Sequence, residues 1–276
     1  MFKSIIIIGI GLFLFACQTD DFETPSYNQK IVVDGWIEQG QPARVFLTLS
    51  SPYFSEVDSA SLRKLVLTRA KVTVYDGLNE EILTLRNNSD YFPPYIYEGT
   101  NLMGEIGHTY NLKVEYGGRI VSSTTQIPEP QKLDSIWFKI DTEADTAGNI
   151  MIRFSDKLGI DNFYRILAKK GLKSKKYAPV FLPNLDGRII DGQSVTLTIS
   201  EENKRDIKLF NVNDTINLKF CSIDHNTFKF WNSIYSELNN SQNPFASTNA
   251  HVISNVQGGF GVWAGYGVNT YRIVCK

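Results

Sequence analysis

Three histidines and three cysteines carry the most reactive side chains of this chain, and their spacing limits what they can do. His108, His225 and His251 stand far apart, none with a second His or Cys at the short intervals that metal ligands need. No Gly-x-Ser-x-Gly elbow and no zinc-protease helix motif occurs. The acid pairs Asp20-Asp21 and Glu201-Glu202 lie in polar stretches that do not frame a glycosidase dyad. The expectation is a chain without catalytic residues, metal or cofactor. Gly258 to Tyr266 is glycine-rich but lacks the Lys-Ser/Thr of a phosphate loop, and no helical pattern follows it. Glycines so placed mark a bent strand that another backbone approaches closely. Within it, Phe260, Trp263 and Tyr266 are candidates for contact with a partner, because Trp and Tyr favour interface centres; ordinary packing is the competing reading. Cys221 and Cys275 each lie in an apolar run of the same half, which leaves two alternatives: a disulfide formed in an oxidising compartment, or two buried free thiols.

The third cysteine reads differently. Lys3 precedes an apolar run from Ile5 to Phe15, about twelve residues where a bilayer needs about twenty, so residues 1–16 read as a signal peptide rather than an anchor helix. Leu14-Phe15-Ala16-Cys17 resembles a bacterial lipobox, which implies cleavage before Cys17 and its acylation by chains such as palmitate. Residues 17–28 then form a polar leash. No Asp directly follows Cys17, which argues against retention at the inner membrane, and Asp20, Asp21 and Glu23 resemble the export signal of surface-displayed Bacteroidetes lipoproteins. The expected place is the outer membrane, lipid-anchored and facing the exterior.

The rest of the chain must position whatever these residues do. Its 276 residues, 42% apolar and 21% charged, can bury one large core or two ordinary ones. With 28 Lys and Arg against 29 Asp and Glu there is no field to hold a nucleic-acid backbone, so nucleic acid is excluded as a partner. Runs rich in Val, Ile, Thr and Tyr, from Ile31 to Ile37 through Arg119 to Gln126, alternate with turn signals and predict a sandwich over 29–130. Gly117-Gly118 between the last two runs predicts a two-residue hairpin. Pro128-Glu129-Pro130 closes that unit. Residues 131–276 read as a second β-rich domain containing one amphipathic helix near 226–238, where Phe228, Trp231, Tyr235 and Leu238 recur at helical spacing after Asp224 as N-cap.

Ile31 through Ile37, Ser50 through Phe54, Ala70 through Val74, Gly107 through Tyr110, Pro128 through Ser135, Phe163 through Arg165, and Asn255 through Tyr266 occur in an order that resembles domain-of-unknown-function family 4249. That resemblance implies a mainly β outer-membrane lipoprotein with an N-terminal immunoglobulin- or fibronectin-like sandwich, often encoded near TonB-dependent transporters. It implies no catalytic residues. The resulting expectation is a non-enzymatic accessory or binding subunit of such a transporter. The alternative is a stand-alone surface module or adhesin that recognises glycan or peptide through aromatics such as those in Tyr91-Phe92-Pro93-Pro94-Tyr95.

Overall fold

The computed structural model describes residues 27–52, 58–141, 143–171, 176–202, 207–240 and 252–276. Cys17, Asp20, Asp21, Glu23 and His251 lie outside the described residues. In chain order the strands of the first half are β1 (Ile31–Glu38), β2 (Pro42–Leu49), β3 (Lys71–Tyr75), β4 (Glu80–Ile82), β5 (Thr84–Asn87), β6 (Tyr95–Met103), β7 (Thr109–Tyr116) and β8 (Arg119–Gln126). Those of the second half are β9 (Ser135–Asp141), β10 (Ala144–Ser155), β11 (Phe163–Lys170), β12 (Ala178–Asp186), β13 (Ser194–Ile199), β14 (Glu201–Glu202), β15 (Ile207–Lys208), β16 (Phe210–Asn211), β17 (Thr215–Ile223) and β18 (Phe260–Val274). Two α-helices, α1 (Ser59–Leu65) and α2 (His225–Asn240), and a 3-10 turn at Gly187–Ile190 complete the described elements. The fold is mainly β and sandwich-like.

A ten-stranded sheet runs through both halves in the order β15-β14-β12-β11-β17-β18-β1-β2-β6-β5. One face of it is covered by two four-stranded sheets, β4-β3-β7-β8 over the first half and β13-β10-β16 with β9 over the second. Residues of alternate parity explain the two cores. Ile31, Val33 and Ile37 of β1 meet Val72, Val74, Leu112 and Val114 in one. Ile150, Ile152 and Phe154 of β10 meet Ile216, Leu218 and Phe220 of β17 in the other.

The division at residue 130 separates the chain but not the sheet, because β18 belongs to both sandwiches. It pairs antiparallel with β17 and parallel with β1, Val32 lying opposite Phe260. Its glycines permit this. A Cβ on Gly261, where φ is +110°, would stand 1.8 Å from the Val33 carbonyl oxygen, and one on Gly267 would stand 2.0 Å from that of Pro128. The bent-strand reading of the glycine segment thus holds. The Gly117-Gly118 hairpin also holds, with φ of 54° and 75° joining β7 to β8.

One seam of the first sandwich is closed by a side chain. Where β6 runs past β4, the buried Glu81 carboxylate accepts from the backbone N–H groups of Thr100 at 2.6 Å, Asn101 at 3.0 Å and Leu102 at 2.8 Å. Burial is the largest influence on this acid and raises its pKa, but the hydrogen bonds outweigh it and leave the group below the usual carboxylate range.

The helix expected near 226–238 is α2, opened by Asp224, whose carboxylate accepts from the Thr227 N–H at 2.7 Å. It lies over the other face of the large sheet, where Phe228, Phe230, Trp231 and Ile234 pack on Phe163, Ile223, Val262 and Tyr266.

Candidate functional site

Because Ile31, Val33, Gly35 and Ile37 turn into the first core, Val32, Asp34, Trp36 and Glu38 must face the opposite side of β1. In register, Asp34 sits between Phe46 of β2 and Val262 of β18. Beyond the edge of α2 this face holds a cleft of about 450 Å³ whose lining includes Val32, Asp34, Trp36, Phe46, Tyr91 and Phe92. Three rings form a continuous wall: Trp36 and Phe46 have centroids 5.8 Å apart, and Tyr91 meets Phe46 edge-on at 4.8 Å. Tyr91 and Phe92 arrive on the loop between β5 and β6. That loop is tied to itself by Asn88, whose side-chain oxygen accepts from the Asp90 N–H at 3.0 Å, whose carbonyl accepts from the Tyr91 N–H at 3.1 Å, and whose own N–H donates to the Pro94 carbonyl at 2.9 Å. Phe92 is left 50% exposed at the rim.

Charged groups elsewhere on this face are paired. Lys219 donates to both carboxylate oxygens of Glu38, at 2.7 and 2.6 Å, and Arg44 donates to Glu98 at 2.8 Å. Arg165, nearly buried beneath α2, donates to Asn184 at 2.6 Å and lies 3.9 Å over the Trp231 ring. Asp34 has no hydrogen bond or ion pair among the described residues. It is accessible to solvent through the cleft, yet protein surrounds it closely enough that desolvation raises its pKa, and the field of Arg165 only partly offsets this. The site is therefore an apolar, aromatic pocket with one unpartnered carboxylate on its floor. Such a shape suits binding of a small group.

The model of a family described as a domain of unknown function, DUF4249, matches residues 19–272. The chain belongs to the DUF4249 family. Among functionally curated proteins nothing matches it.

This DUF4249 chain places the sequence-predicted residues unevenly. Trp263 is 0% exposed and its indole N–H donates to the Tyr110 carbonyl at 2.9 Å, so it is a core residue of the first sandwich contributed by the last strand. Tyr266 is 8% exposed under α2, its hydroxyl accepting from the Trp231 indole at 2.9 Å. Both are corrected from partner contacts to packing. Phe260 alone of the three is accessible, at 45%, beneath the Lys30 ammonium at 4.4 Å. The disulfide alternative is also corrected, because Cys221 and Cys275 are free buried thiols. Cys221 lies opposite Val268 and faces the α2 side, whereas Cys275 lies past the far end of β18 and faces the second core. Seven residues of strand separate these levels, about 24 Å at about 3.4 Å each, far beyond the reach of a disulfide of about 7 Å between Cα atoms. Desolvation pushes the thiols up to about 12 and about 11 respectively. His225 stacks on Phe163 at 4.6 Å, and burial followed by Lys229 and Arg188 lowers its pKa. His108 sits apart, 3.4 Å from Glu105.

The structure brings Tyr91 and Phe92, singled out in sequence for their exposed aromatics, to the cleft. Asp34, Trp36 and Phe46 escape a search for catalytic motifs. Their signal is parity: in Ile31-Val32-Val33-Asp34-Gly35-Trp36-Ile37 a lone acid shares the non-core face of a strand with a tryptophan.

Proposed function

We propose that this protein is a lipoprotein, anchored at the exterior of the outer membrane through acylated Cys17, that works as a non-enzymatic binding subunit of a TonB-dependent transporter. The observation that carries the binding role is the cleft in which Trp36, Phe46 and Tyr91 surround an unpartnered Asp34. An anchored protein shares a surface with its neighbours, and tethering raises the effective concentration so that modest affinity suffices for partnership. The lipobox-like end of the apolar N-terminal run supports the anchor, and the family resemblance supports the transporter. A stand-alone surface binding module is the second reading, favoured by the same cleft because Tyr91 and Phe92 stand at its rim.

The test is a crosslinked pull-down of the full chain from detergent-solubilised outer membranes, with every co-purifying protein identified. A TonB-dependent transporter recovered with wild type and absent with Cys17→Ala supports the proposal. Membrane recovery of the chain by itself supports the stand-alone module. A chain that is neither acylated nor in the membrane fraction overturns both.

A further inference from the structure

We propose that the Asp34 cleft binds an organic cation, a guanidinium or ammonium group carried on an apolar body such as a basic peptide side chain. This rests on the reading that the cleft binds a ligand and names the class of that ligand. The floor of the cleft carries one formal charge among its lining residues, the carboxylate of Asp34, and none of the described residues pairs with it. Its neighbours across both adjacent strands are Phe46 and Val262, so the sheet itself offers no donor. The nearest guanidinium, Arg165, is held by Asn184 and by the face of Trp231. A carboxylate open to solvent through an apolar cleft, with no partner among the described residues, is free to accept charge-assisted hydrogen bonds from an arriving cation.

The walls fit the same occupant. Ring faces attract cations through their quadrupoles, and an ammonium or guanidinium within about 6 Å of an aromatic centroid gains from it. The chain's own cations already use the rim aromatics in this way, with Lys176 Nζ 4.2 Å over Tyr91 and the Arg63 guanidinium 5.4 Å over Phe92. At the rim the acids Glu98 and Glu38 are already paired with Arg44 and Lys219, so Asp34 is the one carboxylate among the lining residues that a ligand cation would meet. An anion is excluded by Asp34. A sugar fits less well, because the rings meet at 36° and 60° and present no flat stacking platform. At about 450 Å³ the cleft is of the size that takes one side chain or a small amine.

The experiment is calorimetric titration of the full-length protein in detergent with acetyl-Phe-Arg-amide and with acetyl-Phe-citrulline-amide, in which a neutral urea replaces the guanidinium at almost constant shape. The arginine peptide should bind at least tenfold more tightly. Asp34→Asn, which removes no internal hydrogen bond, should bring it down to the citrulline affinity while leaving the circular dichroism spectrum unchanged. Trp36→Leu should weaken both peptides. Equal binding of the two peptides, or an Asp34→Asn variant that keeps the preference, overturns the proposal. Cellotetraose or maltotetraose binding that Trp36→Leu abolishes, with neither peptide bound, overturns the cation while leaving the cleft a binding site. Absence of every one of these interactions overturns both.

Discussion

The seam closed by Glu81 and the cleft floored by Asp34 are two regions of one sandwich, and each sets a carboxylate against desolvating protein with opposite results. Glu81 receives three backbone N–H groups, and its pKa is held down despite burial. Asp34 receives none, and its pKa is raised. Desolvation acts on both. What separates them is whether the chain supplies hydrogen-bond donors. The seam acid is architecture, completed by the fold. The cleft acid is left incomplete by the fold, as residues kept for a ligand are.

Removing the first acid should have the largest effect. Glu81→Ala removes the acceptor of the buried Leu102 N–H and of the part-buried Thr100 and Asn101 N–H groups, and should cost about 2–4 kcal/mol in denaturant unfolding. Because the folded-state pKa of Glu81 lies below its unfolded value, its contribution is complete above the unfolded pKa and is lost as pH falls through the folded one. The gap between wild type and variant should therefore narrow in acid. A gap that does not depend on pH would break the contrast.

Arg165→Met should have the next effect, about 1–3 kcal/mol, from loss of the Asn184 hydrogen bond and the stacking on Trp231. It should also move the Asp34 titration, followed by carboxyl NMR, to still higher pH. An unmoved titration would mean that Arg165 does not act on the cleft.

Asp34→Asn should have the smallest effect and the opposite sign. The proton is bound more tightly by folded than by unfolded chain, so the charged acid weakens the fold above its raised pKa, and that penalty disappears as pH falls to the unfolded value. The charged or titratable groups that act with it are Arg165 and the Tyr266 hydroxyl. A melting temperature slightly above wild type at neutral pH and equal to it in acid is expected. A clear loss of stability at neutral pH would make Asp34 architectural like Glu81.

Much of the frame was legible in the residues, and the reasons differ by element. The β7–β8 hairpin was readable because two adjacent glycines demand it, and α2 because its aromatics repeat at helical spacing after Asp224. The stretch Ile82 to Arg86 reads as one run, yet Leu83 carries the chain from one sheet to the other, so β4 and β5 lie in different layers. β12 was hidden by Pro179 and Pro183, which a strand tolerates only where a ladder hydrogen bond is dispensable. The course of β18 was only half legible: glycines foretold a close backbone, but nothing local says that the neighbour is β1 or that Trp263 enters the other half's core. The cleft was hardly legible at all. Its parts come from three separate stretches, and a lone Asp in a strand has no spacing to read until the sheet puts Phe46 beside it and the loop folds Tyr91 over it.

β18 also sets an order in time. The Val268 N–H reaches Gln39 across 229 positions of chain, and the whole β1–β18 ladder spans a similar interval. Contacts this distant form slowly, because the intervening chain must be drawn together before they reward it. Until the last strand emerges, the first sandwich lacks both a neighbour for β1 and the indole that fills its centre. The closing strand of the chain is thus a shared element of both sandwiches, and its long-range ladder is among the slowest contacts to form.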